Sequence, residues 1–205
     1  MHSNSIIHEL MHALHRKLTM KDTPLVVTIS GPSGSGKTTI VHELIDALDM
    51  PVALVHTDDY YIGKTRMKAE MPQGEALNFD HPASIDLAKL ARDIVSLQAN
   101  LIISSPIYDM ATSEPTAQTR VVQPAGVIII EGIAANLDEI RSHSDFSICV
   151  TAPLEERIRR CITRDNTRNL REEHEVIAHF THVVAPSYDI YFKHADEQAD
   201  FIVRN

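Results

Sequence analysis

The strongest chemical signal lies between residues 31 and 38, where Gly31-Pro32-Ser33-Gly34-Ser35-Gly36-Lys37-Thr38 matches the Walker A spacing. Glycines placed this way let the backbone curl, so that successive N–H groups converge on phosphate oxygens. The helix expected to follow adds positive potential at its N-terminus. Lys37 is then expected to reach the β- and γ-phosphates of a nucleoside triphosphate, and the Thr38 hydroxyl to take a place on Mg2+. Two further acids sit where such a site needs them. Asp58 and Asp59 end a short apolar run, and an aspartate there can accept the proton of an attacking hydroxyl. Glu131 ends Val127-Ile128-Ile129-Ile130 and can orient Mg2+ or its waters.

A fourth feature is cationic. Arg157, Arg159, Arg160, Arg164, Arg168 and Arg171 crowd one short stretch of the chain. Arg157, Arg160, Arg164 and Arg168 recur every three or four residues, which on a helix stacks their guanidinium groups on one face. Such a face can close over a triphosphate and stabilise charge developing on the γ-phosphate. His8-Glu9-Leu10-Met11-His12 spells HExxH, the helical zinc-protease motif. Leu10 and Met11 belong to an apolar stripe, however, and a terminal helix offers no substrate cleft, so a packed or solvated His-rich helix is expected there.

Several elements must position these groups. Ile6, Ile7, Leu10, Met11, Leu14 and Leu18 form the stripe of an amphipathic helix over 5–18. Leu25 to Ser30 reads as a buried strand, and a helix from Lys37 to Asp49 and a strand over Val52 to Thr57 complete a βαβ unit. The spacing predicts an irregular polar stretch over 62–82 and a helix from Ala83 to Leu97. Leu101 to Ser104 and Arg120 to Gln123 read as short strands flanking a polar excursion. Strands are expected at Val127 to Glu131 and Phe146 to Thr151. An arginine-rich helix opening at Pro153, a helix from Glu172 to Val183 and a last strand over Asp200 to Arg204 complete the pattern. Strands alternating with helices mean an α/β fold, a doubly wound parallel sheet covered on both faces.

Composition sets the outer bounds. With 205 residues, 43% hydrophobic and 23% charged, the chain suits one globular domain. Lys and Arg number 19 against 28 Asp and Glu, a net charge of −9. An acidic protein with one arginine-dense stretch suits a small anionic ligand better than a nucleic acid polymer. No run approaches the ~18 apolar residues of a membrane span. Cys149 and Cys161 form neither a metal spacing nor a disulfide framework, so a reducing cytoplasm is expected.

The chain from about 25 to 204 resembles the uridine kinase branch of the phosphoribulokinase and uridine kinase family of P-loop kinases. The residues carrying the resemblance are GPSGSGKTT at 31–39, TDDYY at 57–61, NFDHPASID at 78–86, PIYD at 106–109, VIIIEGI at 127–133, RRCITRD at 159–165 and ADFIVRN at 199–205. The resemblance implies a P-loop fold with an arginine-rich lid at about 153–172 on a kinase domain of residues 23–205, with residues 1–22 an appended helix. It implies transfer of the γ-phosphoryl group of ATP, with Mg2+, to the 5′-hydroxyl of uridine or cytidine, GTP being a second conceivable donor. Gly31, Ser33, Gly34, Ser35, Gly36, Lys37, Thr38, Thr39 and Arg160 would hold ATP. Asp58 would be the base, with Lys37 and Arg164 beside it in catalysis, and Thr38 and Glu131 would serve the metal. Tyr61, Phe79, Asp80, Tyr108 and Arg171 would hold the nucleoside, and a homo-oligomer is suggested.

The departures from the family pattern cluster on the acceptor side. Met110 and Ser113 stand where an aromatic residue and a base-reading His are common, and Cys161, Asn169 and His179 replace an Arg, an Arg and a Gln. They leave open a same-fold kinase for another acceptor, such as another nucleoside, a sugar phosphate or a pantothenate-like molecule, and a nucleotide-binding regulator without turnover. The family generally continues into a C-terminal helix after the last strand, and the helix over 5–18 is expected to cover the surface such a helix would cover.

Overall fold

Leu25-Val26-Val27-Thr28-Ile29-Ser30 lacks the alternation of a half-exposed strand, so both of its faces must be covered. In the computed structural model, which describes residues 2–70, 77–167 and 172–205, this is strand β1 (Leu25–Ser30), buried throughout. It lies centrally in a five-stranded parallel sheet with β2 (Val52–His56), β5 (Val127–Glu131), β6 (Phe146–Thr151) and β7 (Phe201–Arg204), in the order β2-β5-β1-β6-β7. Strands β3 (Ile103–Asp109) and β4 (Glu114–Val122) pair separately as an antiparallel hairpin.

Alternate residues of the parallel strands feed two apolar layers. Val26, Ile128 and Ile130 pack with Leu90, Ile94 and Leu97 of α4 (Leu87–Gln98), with Ile140 of α5 (Asp138–Arg141) and with Tyr188 of α8 (Ala185–Tyr191). Val27, Ile29 and Ile129 face the other way, onto Ile40, Val41 and Leu44 of α2 (Lys37–Leu48). Leu10 and Leu14 of α1 (His2–Leu18) join this second layer and are fully buried. His8, Glu9, His12 and His15 lie on the exposed side of α1, and no group of three or more His, Cys, Asp or Glu among the described residues could hold a metal ion. No helix among the described residues is long and apolar enough to cross a membrane. Cys149 and Cys161 are free and buried.

Besides the short helix α5, which no expected element covers, four departures from the expected elements stand out. Lys64–Glu70 inside the stretch expected to be irregular forms a short helix, α3, while 71–76 lie outside the described residues. The next helix starts at Leu87 rather than Ala83, because the Asp86 carboxylate caps it by accepting from Lys89 N at 2.8 Å. Pro82–Ser84 form a separate 3-10 turn before it. The two short strands are the ends of one long hairpin, since the polar residues between them pair with each other across Tyr108 and Pro115. Finally, the helix expected to stop at Val183 continues. Helix α7 (Glu173–His179) passes through a π turn at Phe180–Val184 into α8, and α9 (Lys193–Glu197) follows. Pro186 lacks an N–H and would crowd a regular turn, and the wider turn just before it accommodates that.

The burial of α1 has a direct energetic consequence. Leu14→Ala is expected to lower unfolding free energy by about 2–5 kcal/mol, whereas Leu101→Ala, at an exposed position, should stay within about 0.5 kcal/mol. Equilibrium urea unfolding followed by circular dichroism checks both.

Candidate active site

The Gly-rich loop leaves the carboxyl end of β1 and enters α2, with Gly36 as its N-cap at φ 95°. On its outer side it is gripped by helix α6 (Leu154–Thr167). Gly34 sits at φ 78°, and a Cβ there would lie 2.5 Å from the Arg157 carbonyl oxygen, so only glycine lets the two backbones meet. Arg157 Nε donates to the Ser33 carbonyl at 3.0 Å, Arg160 Nη1 to the Ser35 carbonyl at 3.1 Å, and Asn205 Nδ2 to the same Ser35 oxygen at 2.9 Å. In a trans peptide the N–H points away from its carbonyl, so tying these oxygens outward turns N–H groups toward the loop's hollow. Lys37 Nζ donates to the Gly31 carbonyl at 2.8 Å and the Pro32 carbonyl at 3.3 Å, a resting place within the loop it is expected to serve.

Arg157 does not belong to the basic face proposed from its spacing. It is buried, with its guanidinium carbon 5.1 Å from the Phe180 ring centroid and 5.7 Å from that of Tyr188. It braces the loop rather than facing a triphosphate. Arg160 and Arg164 keep the expected position on the site, Arg160 paired with Glu156 at 2.8 Å and Arg164 with Asp165 at 3.0 Å. Arg168 and Arg171 lie outside the described residues.

The acids come from neighbouring strand ends. Strand β2 runs into a 3-10 turn at Thr57–Tyr60 that carries Asp58 and Asp59. Asp59 is turned to Arg120 of β4, an ion pair that ties the hairpin to the sheet. Asp58 instead opens onto the cavity beside Glu131 and Lys37. Its side chain stays exposed on the cavity side, yet desolvation by the protein around it, with the nearby Glu131 charge, pushes its carboxyl above the usual aspartate value despite the opposing pull of Lys37. Burial pushes Glu131 the same way. There the hydrogen bond from His56 Nδ1, at 2.8 Å, together with the Lys37 charge, overcomes it and leaves the carboxyl below its ordinary value. The second Glu131 oxygen lies 3.5 Å from Thr38 Oγ1.

Two cavities adjoin at Asp58. The first, about 270 Å³, runs along the loop past Gly34, Gly36, Lys37, Thr38, Glu131 and Arg160. The second, about 430 Å³, is walled by Phe79, Tyr108, Met110, Ser113, His179 and Phe180 among others. Ser33, Asp58, Tyr61, Asp80, Cys161 and Arg164 line both. Tyr61 packs on Phe79 and Tyr108, with ring centroids 6.2 Å and 5.2 Å away. The structure thus brings together most residues singled out in the sequence, while Gly31, Ser35 and Thr39 line neither cavity. Ser35 is fully buried inside the loop and Thr39 faces outward on α2.

The matches to known proteins agree with this geometry. Residues 26–205 match the model of the phosphoribulokinase / uridine kinase family. The chain belongs to that family. The uridine kinase of Limosilactobacillus reuteri (strain DSM 20016) is 32% identical over 182 residues, covering 88% of this chain and 83% of that protein. The uridine kinase of Mycoplasma genitalium is 32% identical over 187 residues, covering 90% and 86%. Among solved structures, a possible uridine kinase from Bacillus stearothermophilus superposes with a TM-score of 0.71 at 23% identity, covering 99% of this chain and 100% of that one. D-glycerate 3-kinase from Cryptococcus neoformans gives 0.72 at 17% identity, covering 97% and 95%, and at such identities both speak for the fold alone. Membership in this kinase family makes the chain an ATP-dependent P-loop kinase with a parallel sheet at its centre.

The family's requirement for a divalent cation fits the residues present. Thr38 Oγ1 and Glu131 Oε1 are hard oxygen donors facing one another beside the loop, the chemistry Mg2+ selects when phosphates and water complete its shell. His56 escaped the sequence reading because nothing local marks it. Only the register of β2 against β5, which sets His56 opposite Glu131, could have pointed to it.

The raised Asp58 carboxyl has a signed consequence. The folded chain holds this proton to higher pH than the unfolded chain, so stability falls as pH rises from the ordinary aspartate range through the raised value. Asp58→Asn should therefore melt higher than the parent at pH 7, with the difference shrinking toward acid pH, as read by differential scanning calorimetry.

Proposed function

We propose that this kinase transfers the γ-phosphoryl group of ATP to the 5′-hydroxyl of a ribonucleoside, with uridine or cytidine as the first choice of acceptor. The observation that carries this reading is Asp58 at the junction of the two cavities, where a hydroxyl in one would meet a phosphate in the other. Its raised carboxyl makes it a better proton acceptor than an ordinary aspartate. The names of the curated relatives, uridine kinases at about a third identity, support the nucleoside.

In this reading Lys37 leaves the Gly31 and Pro32 carbonyls for the β- and γ-phosphate oxygens, and the loop N–H groups hold the β-phosphate. Arg160 and Arg164 face the same cavity from α6 and balance charge on the transferring group. Tyr61, Phe79 and Tyr108 sandwich the acceptor, and Asp80 accepts from its ribose hydroxyls. The 5′-oxygen attacks the γ-phosphorus, its proton passes to Asp58, and the bond to the bridging oxygen breaks to release ADP. A bound Mg2+ would neutralise phosphate charge, with Thr38 and Glu131 as its protein donors.

A second reading keeps this chemistry and changes the acceptor. It is favoured by Met110, Ser113, Cys161 and His179, the departures from the family pattern that lie in the described residues, because all four line the larger cavity. An ADP-release assay over uridine, cytidine, purine nucleosides, sugar phosphates and pantothenate separates the two. Turnover of uridine or cytidine at least tenfold above the others is expected, and uridine at background selects the second reading. Asp58→Asn should lower kcat about 10²–10⁴-fold while ATP affinity changes less than about twofold. An unchanged rate would remove Asp58 from the base role.

A further inference from the structure

Glu131 is a flexible side chain asked to hold one orientation at the wall of the smaller cavity, and the structure shows what fixes it. His56 closes β2 and stands in direct parallel register with Glu131 at the end of β5. Its Nδ1 donates to Glu131 Oε2 at 2.8 Å, which leaves Oε1 as the oxygen turned toward Thr38 Oγ1, 3.5 Å away. The register itself is locked one residue further on. A Cβ on Gly132 would lie 1.8 Å from Thr57 Oγ1, so the two strand ends meet at a distance only glycine allows. The neighbouring Asp59 is engaged by Arg120 and does not compete for the imidazole.

We propose that His56 is a positioning residue for the divalent cation, acting through Glu131: the imidazole takes one carboxylate oxygen and presents the other, with Thr38, to the metal of the bound nucleotide. This rests on the kinase reading of the loop and goes beyond it, since the acceptor plays no part. Groups that orient metal ligands from outside the coordination sphere typically change metal affinity about 10–100-fold when removed. A purely packing role for the ring would alter melting temperature and leave metal affinity alone.

The test uses the full chain with ADP and Mn2+, following free Mn2+ by electron paramagnetic resonance, with no acceptor present. His56→Phe keeps ring volume without a donor, and His56→Asn places an amide nitrogen near the position of Nδ1. His56→Phe should weaken Mn2+ binding to the ADP complex about tenfold or more. His56→Asn should recover most of that loss, and affinity for ADP in EDTA should change less than about twofold in both. Phe and Asn variants that both stay within about twofold of the parent, or that weaken equally, would overturn the proposal for His56. Failure of the parent chain itself to bind Mn2+ with ADP would instead overturn the nucleotide site.

Discussion

Two carboxylates that repel one another have to share the mouth of this sheet. Glu131 ends β5 and Asp58 sits in the turn just beyond the adjacent strand β2, where the Glu131 charge raises the cost of ionising it. Lys37 lies between the two demands, drawing both carboxyls toward the ionised form. His56 hydrogen-bonds Glu131 but offers Asp58 only its charge, so the two acids end up with opposite shifts. One is kept ionised, which suits the metal-donor role proposed for Glu131, and the other keeps a high proton affinity, which suits the base role proposed for Asp58. The remaining structure serves to hold that arrangement in register. The buried strands fix the spacing of the acids, Gly132 locks the ends together, and α6 holds the loop from outside.

The loop and the acids were legible because each is a local pattern. A Gly-rich run before Lys-Thr, and acids ending β-branched strands, need no tertiary information. The two-faced sheet was legible for the same reason, since unbroken apolar strands leave no alternative to cover on both sides. What escaped depends on which element lies next to which. Helical spacing placed Arg157 with Arg160 and Arg164, but not the rings of Phe180 and Tyr188 that draw it inward. The polar residues of the β3–β4 hairpin looked like a loop because β4 is exposed over most of its length, so no burial pattern marks it as a strand. The helix expected to end at Val183 runs on because a π turn, which leaves no signature in sequence, carries it into α8.

The second apolar layer shows how α1 enters the fold. Its stripe was visible in the sequence, but the stripe alone says only that some surface receives it. In the structure Leu10 and Leu14 pack with α2 and with β1, so the helix shares the layer that backs the phosphate-binding loop. His8, Glu9 and His12 of the HExxH string fall on the opposite, solvent-facing side.

The wall common to the two cavities bears on how such a protein can diversify. In the proposed reading a substitution at Ser33, Tyr61, Asp80 or Arg164 disturbs donor and acceptor together, and one at Asp58 disturbs the transfer itself, so selection for phosphoryl transfer screens them. Met110, Ser113 and His179 touch only the larger cavity and escape that screen. Divergence in what the enzyme accepts can therefore accumulate on one wall while the machinery of transfer is inherited intact. Three of the four acceptor-side departures in the described residues lie on that unscreened wall, and Cys161 alone crosses the partition.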